Sequence, residues 1–145
     1  MENLAKIQCD LVPSNPSPDL GFEIWIDSNK VFDSYVVDST HFEYRIIDDL
    51  ECDHDLKFVL KNKTDQHTIV DDAGNIVKDS TVQIKNLKFD DIDLGYMLTE
   101  LSEYVHNQNG HSELLSNQFF GTMGCNGTVS LKFSTPIYLW MLENM

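Results

Sequence analysis

The sequence predicts a single all-β domain over residues 1–145, built as an antiparallel β-sandwich. Short segments alternate apolar and polar residues with a period of two, which is typical of half-buried strands. Clusters of Asp, Asn, Ser, Gly and Pro separate these segments roughly every ten residues. The length of 145 residues and the hydrophobic content of 41% suffice for one buried core.

Six segments show the strand pattern most clearly because they combine the alternation with β-branched and aromatic residues. In one of them, Phe22, Ile24 and Ile26 fall on one side, and Glu23 and Trp25 fall on the other. The six segments are residues 4–11, 20–27, 30–37, 40–47, 56–62 and 81–89.

Three further segments depart from a plain strand. In residues 81–89 the apolar alternation slips by one position, which predicts a β-bulge around Lys85 and Asn86. Residues 67–80 (HTIVDDAGNIVKDS) place a tight turn between two Ile-Val pairs, which predicts a short hairpin or an ordered loop. Residues 13–18 (PSNPSP) favour a linking segment because proline breaks both helices and central strands.

Two segments leave helix and strand open. Residues 96–110 (YMLTELSEYVHNQNG) place apolar residues on one helical face, but their second half also fits a strand followed by an Asn-Gly turn. Residues 127–145 predict a strand through Phe133 and a break at Pro136, followed by a short terminal helix or one more strand. We therefore expect a short helix near residues 96–106 or at the C-terminus.

The net charge of −14 limits the classes of partner. It arises from 24 acidic residues against 10 basic ones, and Arg45 is the one arginine. Binding of nucleic acid or of an anionic membrane surface requires clustered Lys and Arg, so neither partner is expected. Such acidity suits docking onto a basic protein surface or association with cations.

Localisation is expected to be non-secretory. The first residues (MENLAKIQCDL) lack a basic start followed by an apolar region, and no apolar run is long enough to span a membrane. Cys9, Cys52 and Cys125 are widely spaced and odd in number, which is typical of free thiols in a reducing compartment.

Asp90, Asp91 and Asp93 follow an alternating apolar run and form the first candidate site. In a strand, Asp91 and Asp93 would point the same way and could contribute oxygen ligands to Ca²⁺. The EF-hand spacing is absent. The alternative interpretation is a solvated strand end that keeps a sheet edge from pairing with another chain, and we favour it.

Other chemical signals are weak. An acid pair for glycoside hydrolysis has little support, because with 24 acidic residues some pair always falls at a suitable distance. Residues 51–55 (ECDHD) lack further zinc ligands and predict a polar loop, and Cys125 lies in a turn without neighbouring bases. The sequence also lacks the helical His pairs of metalloproteases; its histidines are residues 41, 54, 67, 106 and 111.

Trp25, Tyr35 and Tyr44 form the second candidate site. Trp25 falls on the polar side of its strand, and the two tyrosines fall on the following strands. Aromatic rings on one open sheet face would stack against sugar rings. If both sheet faces are covered, the same rings belong to the core or to an interface, and we favour this second interpretation.

The order of these segments resembles a known architecture. The runs FEIWIDSNKVFDS, HFEYRIIDD, DLKFVLKNKT and TVQIKNLKFDDIDL resemble the jelly-roll sandwich of carbohydrate-binding modules. The whole chain, and above all its ending GTMGCNGTVSLKFSTPIYLWMLENM, resembles small virion-associated proteins of marine tailed phages, notably cyanophage myoviruses.

The resemblance implies a non-enzymatic structural or interaction protein of a phage particle, associated with decoration, neck or tail fibre. Its expected partners are other virion proteins or further copies of itself, and its expected location is the virion or the host cytoplasm during assembly. The alternative is an adhesin that recognises host glycans, with Ca²⁺ as the one cofactor that the sequence admits. No other cofactor is expected.

Overall fold

The computed structural model describes residues 3–15, 20–36, 38–110 and 112–144, except for the side chain of Asp65. Their strands are β1 (Leu4–Pro13), β2 (Gly21–Ile26), β3 (Asn29–Tyr35), β4 (Thr40–Ile47), β5 (Cys52–Lys61), β6 (Thr68–Val70), β7 (Ile76–Asp79), β8 (Val82–Phe89), β9 (Ile92–Asp93), β10 (Glu103–His106), β11 (Leu115–Gln118), β12 (Thr122–Met123) and β13 (Gly127–Thr135). The α-helices are α1 (Met97–Leu101) and α2 (Ile137–Asn144). Single 3₁₀ turns occupy Asp65–His67 and Gln108–Gly110.

The strands form two main antiparallel sheets and one separate hairpin. The five-stranded sheet has the order β12-β8-β1-β4, with β9 also paired to β8. The six-stranded sheet has the order β11-β10-β13-β5-β2-β3, and β6 pairs only with β7. The chain crosses repeatedly between the two main sheets, as chains do in jelly rolls. The predicted all-β antiparallel sandwich is confirmed.

The core lies between the two sheets, because each contributes one apolar face. On β5, Leu56, Phe58 and Leu60 are buried, as the alternation predicts. Aromatic rings from opposite sheets contact each other at two places in the core. The ring centroids of Phe89 and Phe133 lie 5.0 Å apart, and those of Phe32 and Phe42 lie 6.1 Å apart. The apolar faces that the alternating strands create pack against each other, which accounts for the sandwich.

The predicted bulge is present on β8. The pairing with β1 shifts where Gln8 faces Lys88 but Asp10 faces Lys85, so β8 contains one extra residue. Asn86 takes this position with a φ of 56°, and its amide donates to Asp10 Oδ2 at 2.9 Å. Asn tolerates the left-handed conformation better than most residues, which explains its use here.

The first ambiguous segment contains both structures that the sequence allowed, and the second ends in a helix. In residues 96–110, α1 ends at Leu101 and β10 begins two residues later. The C-terminal segment follows β13 with α2, which starts directly after Pro136. The Ile137 N–H donates to Asp48 Oδ1 at 2.8 Å, and Trp140 is buried. Burial of one helical face against the sandwich therefore favours the helix over a further strand.

β5 starts earlier in the chain than the apolar alternation predicts. The polar loop predicted for residues 51–55 is wrong for residues 52–55, because β5 begins at Cys52. The expected 67–80 hairpin is present as β6 and β7. The predicted link at residues 13–18 falls partly outside the described residues, as does the histidine at position 111.

Truncation of a core side chain should destabilise the fold far more than the same truncation at the surface. Leu131 is fully buried on β13, so Leu131→Ala is expected to lower the free energy of unfolding by about 2–5 kcal/mol. Leu142→Ala, at a residue that is 69% exposed on α2, is the matched control and should change it by less than about 0.5 kcal/mol. Urea unfolding curves measure both values. Equal losses would contradict the placement of the core.

Candidate functional site

The predicted ligand-binding residue Trp25 lies within a charged network on the outer face of the six-stranded sheet. Its indole N–H donates to Glu23 Oε1 at 2.7 Å, and Lys30 Nζ lies 5.9 Å from its ring centroid. Lys61 Nζ contacts Glu23 at 2.6 Å and Asp33 at 2.8 Å. Hydrogen bonds from Lys61 and then Trp25 hold the pKa of Glu23 below its usual value. The indole therefore already has a partner.

The other two predicted aromatic residues lie elsewhere. Tyr35 is 59% exposed and pairs with Gly21, at the opposite end of the β2–β3 hairpin from Trp25. Tyr44 is 40% exposed on β4, which belongs to the five-stranded sheet. The structure does not bring these three rings onto one sheet face, so the flat aromatic platform expected for stacking sugars is not formed by them.

The aspartates of the first candidate site lie in a tight turn and at its exit. Asp90 and Asp91 have φ values of 52° and 66° and connect β8 to β9, so they are turn residues rather than the strand residues of the prediction. Asp90 Oδ1 accepts the Lys6 N–H at 2.8 Å. Asp91 Oδ1 accepts from Gln8 Nε2 at 2.8 Å and pairs with Lys6 Nζ at 2.9 Å.

Asp93 accepts a hydrogen bond from a different donor than Asp90 and Asp91 do. Its Oδ1 accepts the Gly95 N–H at 2.6 Å, which closes the turn that leads into α1. Over the described ranges, no group of three or more His, Cys, Asp or Glu side chains is arranged to hold a metal ion. The three carboxylates thus serve different donors, an arrangement that favours the interpretation as a solvated strand end.

A hydrogen-bonded Asp-His-Thr group lies where β2, β5 and β13 meet. Asp27 follows β2 with a φ of 57°, His54 lies on β5, and Thr135 ends β13. His54 Nδ1 lies 2.8 Å from Asp27 Oδ2, and His54 Nε2 lies 3.2 Å from Thr135 Oγ1. The imidazole also stacks on Phe133 at a centroid distance of 5.2 Å.

The electrostatics of this group stabilise the ionised form of Asp27. Burial alone would raise the pKa of Asp27, but hydrogen bonds from His54 and from the Asp55 N–H outweigh it and lower the pKa below the ordinary value of 3.8. The Asp55 N–H lies 2.9 Å from Asp27 Oδ1. Asp27 therefore links the β2–β3 turn to the first half of β5 through both carboxylate oxygens.

The order carboxylate, imidazole and hydroxyl matches that of the hydrolase triad, but the hydroxyl is badly placed for nucleophilic attack. Thr135 is only 4% exposed, and its hydroxyl donates to the Leu50 carbonyl oxygen at 2.6 Å. A buried hydroxyl that already donates its proton cannot readily meet a substrate. The geometry is that of a structural clamp that joins three strand ends to the loop before β5.

A groove of about 490 Å³ adjoins this clamp between β5, β13 and α2. Asp27, Asp53, His54, Asp55, Lys132, Phe133, Ser134 and Trp140 line it. Asp55 Oδ1 is buried without a hydrogen-bond partner in the described part of the chain, and Lys132 is its cross-strand neighbour. Desolvation of an unpaired carboxylate oxygen is unfavourable, so the burial of Asp55 Oδ1 opposes folding.

Sequence reasoning missed His54 because residues 51–55 look like a loop. One local signal was available: His54 has the same parity as Leu56 and Phe58, which places it on the inward face if the strand starts earlier. Its partners Asp27 and Thr135 lie 27 and 81 residues away in the chain. Only the pairing of distant strands brings them together.

The three cysteines are free thiols. Cys9 is buried in the core, and burial raises the pKa of its thiol to about 12. Cys125 lies in the bend before β13, and burial also raises the pKa of its thiol. Neither thiol has the lowered pKa that a nucleophilic cysteine needs.

The β6–β7 hairpin carries four exposed aliphatic side chains. Ile69 and Val70 are 50% and 54% exposed, and Ile76 and Val77 are both 66% exposed. The two strands pair only with each other, so neither main sheet covers them. Val70 and Ile76 are cross-strand partners, and exposed apolar side chains gathered on one element often mark interaction sites in soluble proteins.

A buried ion pair fixes the base of this hairpin. Lys63 is 5% exposed, and its ammonium group contacts Asp79 Oδ1 at 2.7 Å and donates to the Gly124 carbonyl oxygen. Thr68 Oγ1 also donates to Asp79 Oδ1, at 2.7 Å. These bonds hold both strands of the hairpin against the loop between β12 and β13, so its apolar residues are displayed on a fixed support.

Comparisons with known proteins give no relatives: no family model, curated protein or solved structure matches this chain. None of the described helices is long and apolar enough to cross a membrane.

The Asp27 clamp should make stability depend on pH. Because the folded-state pKa lies below 3.8, Asp27 stabilises the fold fully above that value and loses this effect as the pH falls through its folded pKa. Asp27→Asn is therefore expected to destabilise the protein at neutral pH, and the difference from wild type should shrink below about pH 4. Denaturant unfolding across a pH series measures the difference. Asp72→Asn, in the exposed hairpin turn, is the control, and an equal pH-dependent difference there would contradict the prediction.

Calcium should not stabilise the protein through Asp90, Asp91 and Asp93. Because their carboxylates already accept hydrogen bonds from different donor groups and do not converge on one point, we expect millimolar Ca²⁺ to leave the thermal unfolding midpoint unchanged. Thermal unfolding with Ca²⁺, and again with excess chelator, measures this. A rise with Ca²⁺ that the chelator reverses would contradict the prediction, since binding to the folded state alone must raise the midpoint.

Proposed function

We propose that this protein is a non-enzymatic structural or interaction protein of a tailed-phage particle and that it docks onto other virion proteins through the β6–β7 hairpin. The observation that carries the proposal is the exposure of four branched aliphatic side chains on one small hairpin outside the sandwich. The sequence resemblance to small virion proteins supplies the setting.

The support beneath the hairpin favours a docking role. The Lys63–Asp79 pair and the Thr68 hydroxyl fix the hairpin base, so little conformational freedom remains to be lost when a partner covers it. Association driven by such a surface gains from the burial of apolar area. The net charge of −14 would then favour a partner whose contact region has a basic rim.

The Asp27–His54–Thr135 group supports the non-enzymatic part of the proposal. Its hydroxyl is buried and donates to a backbone carbonyl, so the group supplies a clamp and not an exposed nucleophile. Glycan recognition stays a prediction without a favouring observation, because the indole N–H of Trp25 is engaged by Glu23 and the ring of Tyr44 lies on the other sheet.

The test compares particles of the encoding phage that carry wild type or Ile76→Ser/Val77→Ser. Both changes remove apolar surface from exposed side chains, so the fold should survive while docking is lost. Quantitative mass spectrometry of density-purified particles measures the copies of the chain in each particle. We expect a fixed copy number for wild type and at least about a tenfold loss for the double variant, which corresponds to about 1.4 kcal/mol or more.

Leu139→Ser/Leu142→Ser provides the matched control, because these two α2 residues are 55% and 69% exposed but lie outside the hairpin. The control should be incorporated at the wild-type level. Absence of wild-type protein from the particles would overturn the phage setting, and full incorporation of the hairpin variant would overturn the role of the hairpin.

A further inference from the structure

The edge strand β11 is short, but it lacks the charged residues and the proline that often keep a sheet edge from pairing. It ends the six-stranded sheet, and all four of its residues (LSNQ) are exposed. Alternate residues of an edge strand point their N–H and C=O groups away from the sheet, where a further strand can bind them. No charged residue and no proline interrupts β11.

The two longer edge strands, β3 and β4, carry charged side chains. The opposite edge of the same sheet, β3, carries Lys30 and Asp33, and the β4 edge of the five-stranded sheet carries Glu43 and Arg45. Charged side chains on an edge oppose strand-to-strand association. β11 differs from both; the remaining edge strand, β12, is also uncharged but has only two residues.

The charge distribution identifies the occupant. Two copies of a chain with a net charge of −14 repel each other, and the repulsion is smallest where the paired strands themselves carry no charge. Residues 114–131 contain no Asp, Glu, Lys, Arg or His, and no longer stretch of this kind occurs in the sequence. β11 lies within that stretch, so the pairing strand adds no like charge to the contact, although Glu103 on the neighbouring β10 faces Gln118.

Apolar side chains flank the open edge on both ends. Leu114 is 74% exposed directly before β11, and Phe120 is 78% exposed two residues after it. The intervening Phe119 is fully buried and packs edge-to-face against Tyr104 at 5.9 Å, so the strand is anchored to the core. In an antiparallel pair of β11 strands, Leu114 of one copy comes near Phe120 of the other, which adds apolar contact to the backbone hydrogen bonds.

We propose that two copies of this chain pair their β11 strands antiparallel about a two-fold axis and so join their six-stranded sheets into one continuous sheet. Such an isologous contact uses the same patch on both copies. This inference rests on the proposed assembly function and names one partner, a second copy. Four paired residues with two flanking apolar contacts form a small interface, so the dimer should depend on concentration.

Sedimentation velocity of the purified full chain over a range of concentrations tests the inference. The mass of wild type should rise from 16.6 kDa towards twice that value as the concentration increases. Ser116→Glu places a charge on each facing strand and should raise the dimer dissociation constant by at least about tenfold. Ser34→Glu makes the same change on the exposed opposite edge β3 and should leave dimerisation unchanged. Thermal unfolding identifies any variant that fails to fold.

Phe120→Ser provides a second variant, outside the strand, that should also weaken the dimer. A wild type that stays at the monomer mass at every concentration would overturn the inference, as would a dimer that tolerates both β11-side variants. If Ile76→Ser/Val77→Ser alone abolished the dimer, the β11 inference would fail while the proposed hairpin docking stood. If the β11-side variants abolished the dimer but particles contained no protein, the proposed function would fail instead.

Discussion

The two main sheets and the C-terminal helix meet at one aromatic cluster. The ring centroids of Phe89, from the five-stranded sheet, and Phe133, from the six-stranded sheet, lie 5.0 Å apart. The ring centroid of Trp140 on α2 lies 5.7 Å from that of Phe89 and 6.1 Å from that of Phe133. Aromatic rings at such distances combine large buried area with favourable edge and offset contacts. The cluster fixes the spacing of the sheets at this end and closes the core with the helix. The arrangement of the Asp27 clamp and its groove depends on it, because His54 stacks on Phe133 and Trp140 lines the groove.

The β6–β7 hairpin differs from the aromatic cluster, because polar contacts hold it in place and it has little apolar core of its own. The Lys63 side chain is 1% exposed and finds its counter-charge in Asp79 and a further acceptor in the Gly124 carbonyl oxygen. A buried ion pair with satisfied hydrogen bonds contributes little net stability but opposes alternative arrangements strongly, because breaking it leaves a buried charge unpaired. Here it joins Asp79 of β7 to the loop between β12 and β13, while the four aliphatic side chains of the hairpin stay exposed.

The strands and the core could be predicted from the sequence because a period of two is a local property. Leu56, Phe58 and Leu60 on β5 are buried as the alternation requires, and the slip in β8 correctly located the bulge at Asn86. Sheet membership is not local. Tyr35 and Tyr44 lie nine residues apart, but the chain crosses between sheets after β3 and separates them. For the same reason the sequence did not predict the Asp27–His54–Thr135 group, because its members lie on or directly after strands that are distant in the chain and pair only in the folded state. The candidate sites, unlike the strands, could therefore be identified only from the tertiary structure.

The bulge in β8 has a consequence for how the chain can change in length during evolution. Val82 and Ile84 face the core before Asn86, and Leu87 and Phe89 face it afterwards. Loss of Asn86 alone would restore strict alternation and leave all four side chains pointing inward, with the pairing of β1 in phase on both sides. Loss of Lys85 would have the same effect on the spacing, whereas loss of one residue from 82–84 or 87–89 would turn part of the apolar face outward. Relatives of this protein that are shorter by one residue in this strand should therefore lack a residue at Lys85 or Asn86, between the two inward-facing pairs.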